Sequence, residues 1–432
     1  MVVGFEKVRR NYREILLIYT FIISLLSLVL RLGGLFIQKF KKWNKDRSEH
    51  LEIVRKLPLL YANGKPVIWF HCASLGEFEQ TRSIIEKLYD QKNHFLLLTF
   101  FSPSGYEVRK NYKKVNLVLY LPIDTRKNMS LMVDKIKPSL FVGVKYDFWW
   151  HLFECLNKRQ IPKFFIAMKM DENHYIFNRF AKKYLQILGE NASFFCQDRA
   201  TSTLLSNKIW NAKDIKTVGD PRVDSVLERM VNPQTLEPLV KENFPPKKVI
   251  IYGSIYDECM DVITPFIQKY EDDYLHILVP HDVSKGNISD IAKKLNKSFV
   301  FLNEMKQDHS SSIIVVNEIG KLFDLYALAD LVYIGGGFTK NLHNTLEPAR
   351  FGLPIIIGPK HRGFEEVDAF LELGIAIEVK NADEFTQAIQ SQSLEKRADI
   401  KIKTGEYFTE NDQASHKIVQ EVLTTVVLKK HL

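Results

Sequence analysis

Cysteine is scarce: four residues in 432, Cys72, Cys155, Cys196 and Cys259, with no C-x-x-C pair among them. That spacing supports neither a zinc site nor a disulfide framework and suits a reducing compartment. G-x-G-x-x-G, G-x-x-x-x-G-K-[ST] and H-E-x-x-H are also missing, which removes the sequence signatures of a dinucleotide fingerprint, a phosphate-loop NTPase and a zinc protease. No D-x-D pair occurs, the arrangement an enzyme would use to hold a sugar diphosphate through a divalent metal, so a metal-independent nucleotide-sugar enzyme stays compatible. There is no internal repeat and no low-complexity tract.

What remains is a globular chain, 46% hydrophobic and 26% charged, long enough for two or three domains. Its net charge of +9 at first suggests a nucleic-acid partner, but the charge is local. Residues 1–47 hold ten basic side chains against three acidic ones, and the other 385 residues carry 50 basic against 48 acidic. A nearly neutral body argues against a broad phosphate-binding surface, and no nucleic-acid partner is expected.

The basic segment encloses an uncharged run, Ile15 to Leu30, continued after Arg31 by Leu32 to Ile37. With Arg31 snorkelling, this is long enough for a membrane anchor. A cleaved signal peptide would need a small-x-small site after Leu30, and none follows. Both flanks are basic, so charge asymmetry gives no orientation. Residues 1–47 are expected to be this anchor with its flanks, single-pass or monotopic.

Beyond them, apolar runs alternate with stretches of helical length. Val67 to His71, Phe95 to Phe101, Leu117 to Leu121, Leu140 to Val144 and Phe164 to Ala167 read as buried strands in residues 48–230. Residues 231–248 contain Pro233, Pro238, Pro245 and Pro246 among charges and read as a linker. A second series follows in 249–404: Val249 to Tyr252, Leu275 to Val279, Ile313 to Val316, Leu331 to Ile334, Pro354 to Ile357 and Ile375 to Val379. The pattern predicts α/β architecture with two doubly wound Rossmann-like domains and a cleft between the carboxyl ends of their sheets. Residues 405–432 read as one long helix.

Two stretches carry candidate chemistry. His71-Cys72-Ala73-Ser74-Leu75-Gly76-Glu77 lies between a strand and a helical stretch, where Gly76 permits close backbone approach and Glu77 is a candidate general base. Ser74 and Glu77 also form an S-x-x-E capping box, which needs no function at all. The second stretch runs from Tyr333 through Gly335-Gly336-Gly337, then Leu342-His343-Asn344-Thr345-Leu346-Glu347-Pro348, to Gly352 and Gly358. Glycine turns and helix starts offer N–H groups to phosphate oxygens, and a carboxylate nearby can accept both hydroxyls of a ribose. Here too helix capping, with Asn344 as the cap and Glu347 three residues on, is the structural alternative, which Pro348 fits imperfectly.

Taken in order, Ser74-x-Gly76-Glu77, Gly253-Ser254, Ile319-Gly320-Lys321-Leu322, Tyr326 and H-N-x-x-E-P-A-x-x-G-x-P-x-x-x-G-P from His343 to Pro359 resemble the 3-deoxy-D-manno-octulosonic acid (Kdo) transferases that glycosylate the lipid A precursor. The likeness spans nearly the whole chain, and it implies that the helix of residues 405–432 crosses back to the N-terminal domain. It implies a GT-B glycosyltransferase without a cofactor or metal, with the acceptor on the N-terminal domain and CMP-Kdo on the C-terminal one, working at the cytoplasmic face of the inner membrane. Glu77 would be the general base, with Ser74, Gly76, Asp147 and Lys169 on the acceptor side. Gly253, Ser254, Pro280, His281, Gly335, Gly336, Gly337, His343, Asn344 and Glu347 would bind the donor, with Glu347 on the ribose.

Departures from the family pattern fall mainly on the donor side. Gly-Ser-Thr is here Gly253-Ser254-Ile255, Pro-Arg-His is Pro280-His281-Asp282, Gly-Gly-His-Asn is Asn341-Leu342-His343-Asn344, Asn-Ala-Arg is Ala167-Met168-Lys169, and Glu-x-Glu-x-Trp is Lys145-Tyr146-Asp147-Phe148-Trp149. The donor-side arginine is lost, and Arg222, Lys360 and Arg362 are candidates to replace it. The alternatives are another GT-B enzyme, either a UDP-sugar glycosyltransferase or a sugar-nucleotide epimerase, and a membrane-tethered nucleotide-sugar binding protein without catalysis.

Overall fold

Apolar runs of four to six residues with no polar face can be buried only if both sides of the strand are covered, which is the situation inside a parallel sheet flanked by helices. The computed structural model, which describes residues 2–57, 64–178, 182–229, 247–304, 311–339 and 342–428, contains two such sheets. Most of the predicted linker and Asn341 lie outside the described residues. The chain divides into two compact units, Met1–Ser225 with Asp412–Leu432, and Val226–Asn411.

In the first unit, strands β1 (Val67–Cys72), β2 (Phe95–Phe100), β3 (Leu117–Tyr120), β4 (Leu140–Val144), β5 (Lys163–Met168), β6 (Ala192–Cys196) and β7 (Asp214–Thr217) form a parallel sheet in the order β3-β2-β1-β4-β5-β6-β7. Side chains alternate across it. Trp69, Leu97, Phe141, Phe165 and Phe194 belong to one apolar cluster, whereas Ile68, Phe70, Leu96, Leu98, Val142 and Phe164 belong to another. The C-terminal helix Ala414–Leu428 adds Ile418, Val419, Val422 and Val426 to the second cluster.

The second unit holds β8 (Lys248–Ile255), β9 (Tyr274–Pro280), β10 (Val300–Phe301), β11 (Ile313–Val315), β12 (Leu331–Ile334), β13 (Ile355–Ile357) and β14 (Ala376–Glu378), parallel and ordered β10-β11-β9-β8-β12-β13-β14. In both sheets strand order reverses direction beside the first strand, between β1 and β4 and between β8 and β12. Open parallel sheets bind ligands outside the carboxyl ends of their strands at such points.

Residues 405–432 are not one helix. They hold the end of the helix Leu394–Asn411 and all of Ala414–Leu428. Gln413 between them has φ 69°, and the Asp224 carboxylate accepts the N–H groups of Gln413 and Ser415 at 2.8 and 2.6 Å, so a remote aspartate caps the second helix.

At the N-terminus α1 (Val2–Phe36) and α2 (Gln38–Lys56) form a hairpin about Ile37. Asn44 Nδ2 donates to the carbonyl of Leu30 at 2.7 Å, and a Cβ on Gly33 or Gly34 would come within 2.6 Å of Phe40 or Asn44. One face of α1 meets the body of its unit. Leu16 and Ile23 are buried, the Tyr19 hydroxyl donates to Asp124 at 2.6 Å, and Thr20 lies 3.2 Å from the His151 ring. The other face is exposed and apolar, from Leu17 and Phe21 (66% and 68%) to Phe36.

Candidate active site

After β1 the chain turns at Ala73–Ser74 into α3 (Leu75–Glu79), then into α4 (Arg82–Asp90), two helices where the sequence pattern reads as one. Glu77 folds back over that turn, its Oε2 accepting the N–H groups of Ala73 and of Ser74, the latter at 3.3 Å. The capping expected from Ser74 and Glu77 is therefore present on the glutamate side. The carboxylate is half-buried, and its pKa is raised, chiefly by burial and next by the charge of Asp147. His71 and the two backbone N–H groups work against that rise. Gly76 is exposed, and a Cβ there would meet nothing within 4 Å, which leaves room above the turn.

Asp147 follows β4, the strand beside β1. Lys145, at φ 51°, turns the chain so that Asp147 Oδ2 comes 2.5 Å from His71 Nε2. Register sets its neighbours: His71 lies between Thr99 on β2 and Gly143 on β4, where a Cβ would meet the Phe141 and Phe165 rings at 3.2 and 3.3 Å. The Thr99 hydroxyl accepts from Trp69 Nε1 at 2.9 Å and lies 2.9 Å from His71 Nδ1. Thr99 Oγ1 also donates to the Phe70 carbonyl at 3.2 Å, and Trp149 Nε1 donates to His71 Nε2 at 3.3 Å, so both ring nitrogens are engaged. Fully buried, His71 thus ties the β1 turn to Asp147. Lys169 follows β5 at the same edge of the sheet.

In the second unit, Gly253 and Ser254 end β8 in an irregularity where Ser254 takes φ 54°. A Cβ on Gly335 would lie 2.2 Å from the Ser254 carbonyl oxygen, and one on Gly337 would lie 2.5 Å from the Gly358 nitrogen. Gly336 has φ 91°. Backbone contact therefore demands glycine at 335 and 337, and left-handed conformation favours it at 336. Gly335 N–H is used by the Gly253 carbonyl at 2.8 Å. A Cβ on Gly253 would lie 2.9 Å from the buried Tyr326 hydroxyl.

His281 follows Pro280 at the end of β9 and stacks on Tyr256, ring centres 4.5 Å apart. His343 completes the cluster, its Nε2 3.0 Å from the Tyr256 hydroxyl and its ring 4.7 Å from His281. Burial, with His281 adding, lowers the His343 pKa to about 4, so His343 is neutral near pH 7 and offers a phosphate no charge.

Thr345, not Asn344, occupies the N-cap position of the helix Leu346–Arg350; Asn344 Oδ1 accepts the Leu346 N–H at 3.0 Å from one residue earlier. Glu347 is in the first turn, and its Oε1 accepts from Arg229 Nη1 at 2.9 Å. Of the proposed replacements for the missing arginine, Arg222 is held by Asp220 through Nε and Nη2 at 2.9 and 2.7 Å, and Lys360 donates to the Phe338 carbonyl at 2.8 Å. Among the described residues no group of three or more His, Cys, Asp or Glu is placed to hold a metal ion.

Sequence reasoning missed the partnership of His71 with Asp147, the Tyr256 platform and Arg229. The first had a signal, a histidine at a strand end six residues before Glu77. The others depend on contacts spanning 87 and 118 positions, which no local pattern carries.

Residues 45–225 match the family model for 3-deoxy-D-manno-octulosonic-acid transferase. A bifunctional glycosyltransferase/methyltransferase of Fusobacterium nucleatum is 26% identical over 366 residues, covering 82% of this chain and 56% of that protein, so the chain spans little more than half of that relative. A 3-deoxy-D-manno-octulosonic acid transferase of Aquifex aeolicus is 26% identical over 353 residues, covering 80% of this chain and 91% of that one. Among solved structures, the UDP-GlcNAc 2-epimerase of Methanocaldococcus jannaschii (TM-score 0.53, 16% identity, 83% of this chain and 99% of that one) and the calicheamicin glycosyltransferase CalG4 (0.53, 11%, 84% and 98%) share the fold. The chain accordingly has the GT-B fold, its residues 45–225 match the Kdo-transferase family model, and it is similar to Kdo transferases over most of its length.

Proposed function

We propose that this protein transfers Kdo from CMP-Kdo to a hydroxyl of the lipid A precursor, without a metal, at the cytoplasmic face of the inner membrane. The observation that carries the reading is Glu77: a half-buried carboxylate of raised pKa, beside the reversal point of the first sheet, inside the matched family domain. A carboxylate of ordinary pKa is a weak base, and the rise brings Glu77 closer to the pH at which it must take a proton. In this reading Glu77 removes the acceptor proton as the oxygen attacks the anomeric carbon on the face opposite CMP. Asp147, Ser74, Gly76 and Lys169 face the acceptor. Gly253, Ser254, Pro280, His281, Gly335 to Gly337, His343, Asn344 and Glu347 surround the donor, and backbone N–H groups of the glycine turn stabilise the departing phosphate.

The test is incubation of detergent-solubilised protein with CMP-Kdo and a tetra-acylated lipid A precursor in EDTA. A mass gain of Kdo is expected; no product, or absolute dependence on added metal, overturns the reading.

The anchor, in this proposal, lies along the membrane surface. Leu16–Gly34 is long and apolar enough to cross a bilayer, with 11% of it buried. Support for a surface position comes from its neighbours: its first turns contact Asp124 and His151, and its end pairs with α2, where Lys41, Lys42 and Lys45 are exposed. Carrying those lysines into hydrocarbon would cost about 2.5–3.5 kcal/mol each, whereas at the headgroups each contributes about 1 kcal/mol of attraction to anionic lipid. A protease-sensitive tag before Lys7 should then be cut from the same side as the body; protection of the tag while the body is digested overturns a surface position.

A further inference from the structure

The missing donor-side arginine directs attention to Arg229, which no family motif marks. Arg229 and Glu347 both lie in the second unit, 118 positions apart, with Nη1 to Oε1 at 2.9 Å. The Arg229 guanidinium lies 3.8 Å from the centre of the Phe323 ring, so its plane rests on an aromatic face while its edge meets the carboxylate. Arg350, one helical turn after Glu347, donates Nη1 to the carbonyls of Val226 and Arg229. The helix carrying Glu347 thus also holds the backbone from which Arg229 extends. The result is a closed brace: Arg350 fixes the position of residue 229, Phe323 fixes the guanidinium, and the guanidinium fixes the carboxylate.

We propose that Arg229 is the positioning residue for the donor's ribose, orienting the Glu347 carboxylate that accepts the ribose hydroxyls. The inference rests on the assignment of Glu347 to the ribose. A glutamate has three rotatable bonds, and a carboxylate that must accept two vicinal hydroxyls is effective only in one orientation. Arg229 also offsets the negative charge that Glu347 would otherwise present to the incoming nucleotide phosphate.

The test compares CMP with 2′-deoxy-CMP by titration calorimetry on the full chain, since the deoxynucleotide lacks one hydroxyl that Glu347 would hold. Arg229→Met retains an apolar stem over Phe323 and should fold; thermal midpoints check this. Its CMP affinity is expected to fall about tenfold, with the preference for CMP over 2′-deoxy-CMP largely lost. Arg229→Lys should restore part of that preference, and Arg229→Met combined with Glu347→Ala should bind no worse than Glu347→Ala alone. A full preference in Arg229→Met, or losses that add in the double variant, overturns the positioning role. If instead Glu347→Ala keeps the preference, the ribose assignment itself fails, a result distinct from the failure of Arg229 alone.

Discussion

In the proposed reaction Glu77 does two jobs that a pair of substitutions can separate. Its Oε2 accepts the N–H groups of Ala73 and Ser74, and its half-buried carboxylate has a raised pKa. Glu77→Gln preserves an oxygen acceptor at the turn, so stability should change by no more than about 1 kcal/mol. It cannot take a proton, however, and loss of a general base is worth about 10²–10⁴ in rate, or about 2.7–5.4 kcal/mol in the barrier. Glu77→Ala loses both functions and should in addition cost about 0.5–2 kcal/mol of stability. Initial rates of Kdo transfer, CMP titration and thermal unfolding resolve the three quantities. The expected result is a Gln variant that is near-native in stability and CMP binding but at least a hundredfold slower. Should the Gln variant retain activity within about tenfold while the Ala variant is merely less stable, Glu77 is a helix cap and the proposed chemistry is wrong.

Asp147 raises the Glu77 pKa, and the base works only when deprotonated, so transfer should fall as pH drops through that raised value. Asp147→Asn removes one cause of the rise and should move the acidic limb of the pH–rate profile to lower pH; an unmoved limb refutes the coupling. Gly335→Ala would place a methyl 2.2 Å from the Ser254 carbonyl and should cost about 1–3 kcal/mol in unfolding and impair CMP binding, whereas Gly76→Ala meets open space and should leave the thermal midpoint nearly unchanged. Phe21→Glu with Leu25→Glu, on the exposed face of α1, should release the protein from anionic vesicles in flotation assays without unfolding it; persistent binding would place the lipid contact elsewhere.

Most of the fold was legible because burial on both faces leaves a continuous apolar run. Leu140–Val144 and Leu331–Ile334 have the predicted ends, and most other expected strands shift by one to three residues. The strands missed were those for which that logic fails. β7 reads Asp-Ile-Lys-Thr, a half-exposed edge strand without an apolar run, and β10 is two residues long. Ala192–Cys196 is fully buried, but an alanine and a serine among five residues shorten its apolar signal. The C-terminal break was invisible for another reason: its cap, Asp224, is about 190 residues away in sequence.

The site divides along the same line. A strand end followed by a helix start is a local pattern, and in a parallel sheet every such turn emerges at one edge. Ser74 to Glu77, Asp147 and Lys169 could therefore be placed at a common edge of the first sheet before any contact was known, and Gly253, His281 and Gly335 to Gly337 at a common edge of the second. The residues that set the chemical state of these groups obey no such rule. His71 reaches Asp147 only because β1 and β4 are neighbours, and Arg229 reaches Glu347 only because Arg350 holds its backbone. A family motif therefore supplies the groups that would touch substrate. It does not supply the groups that orient those, and in the reading that puts Glu347 on the ribose, Arg229, brought to that carboxylate across 118 positions, is such a group.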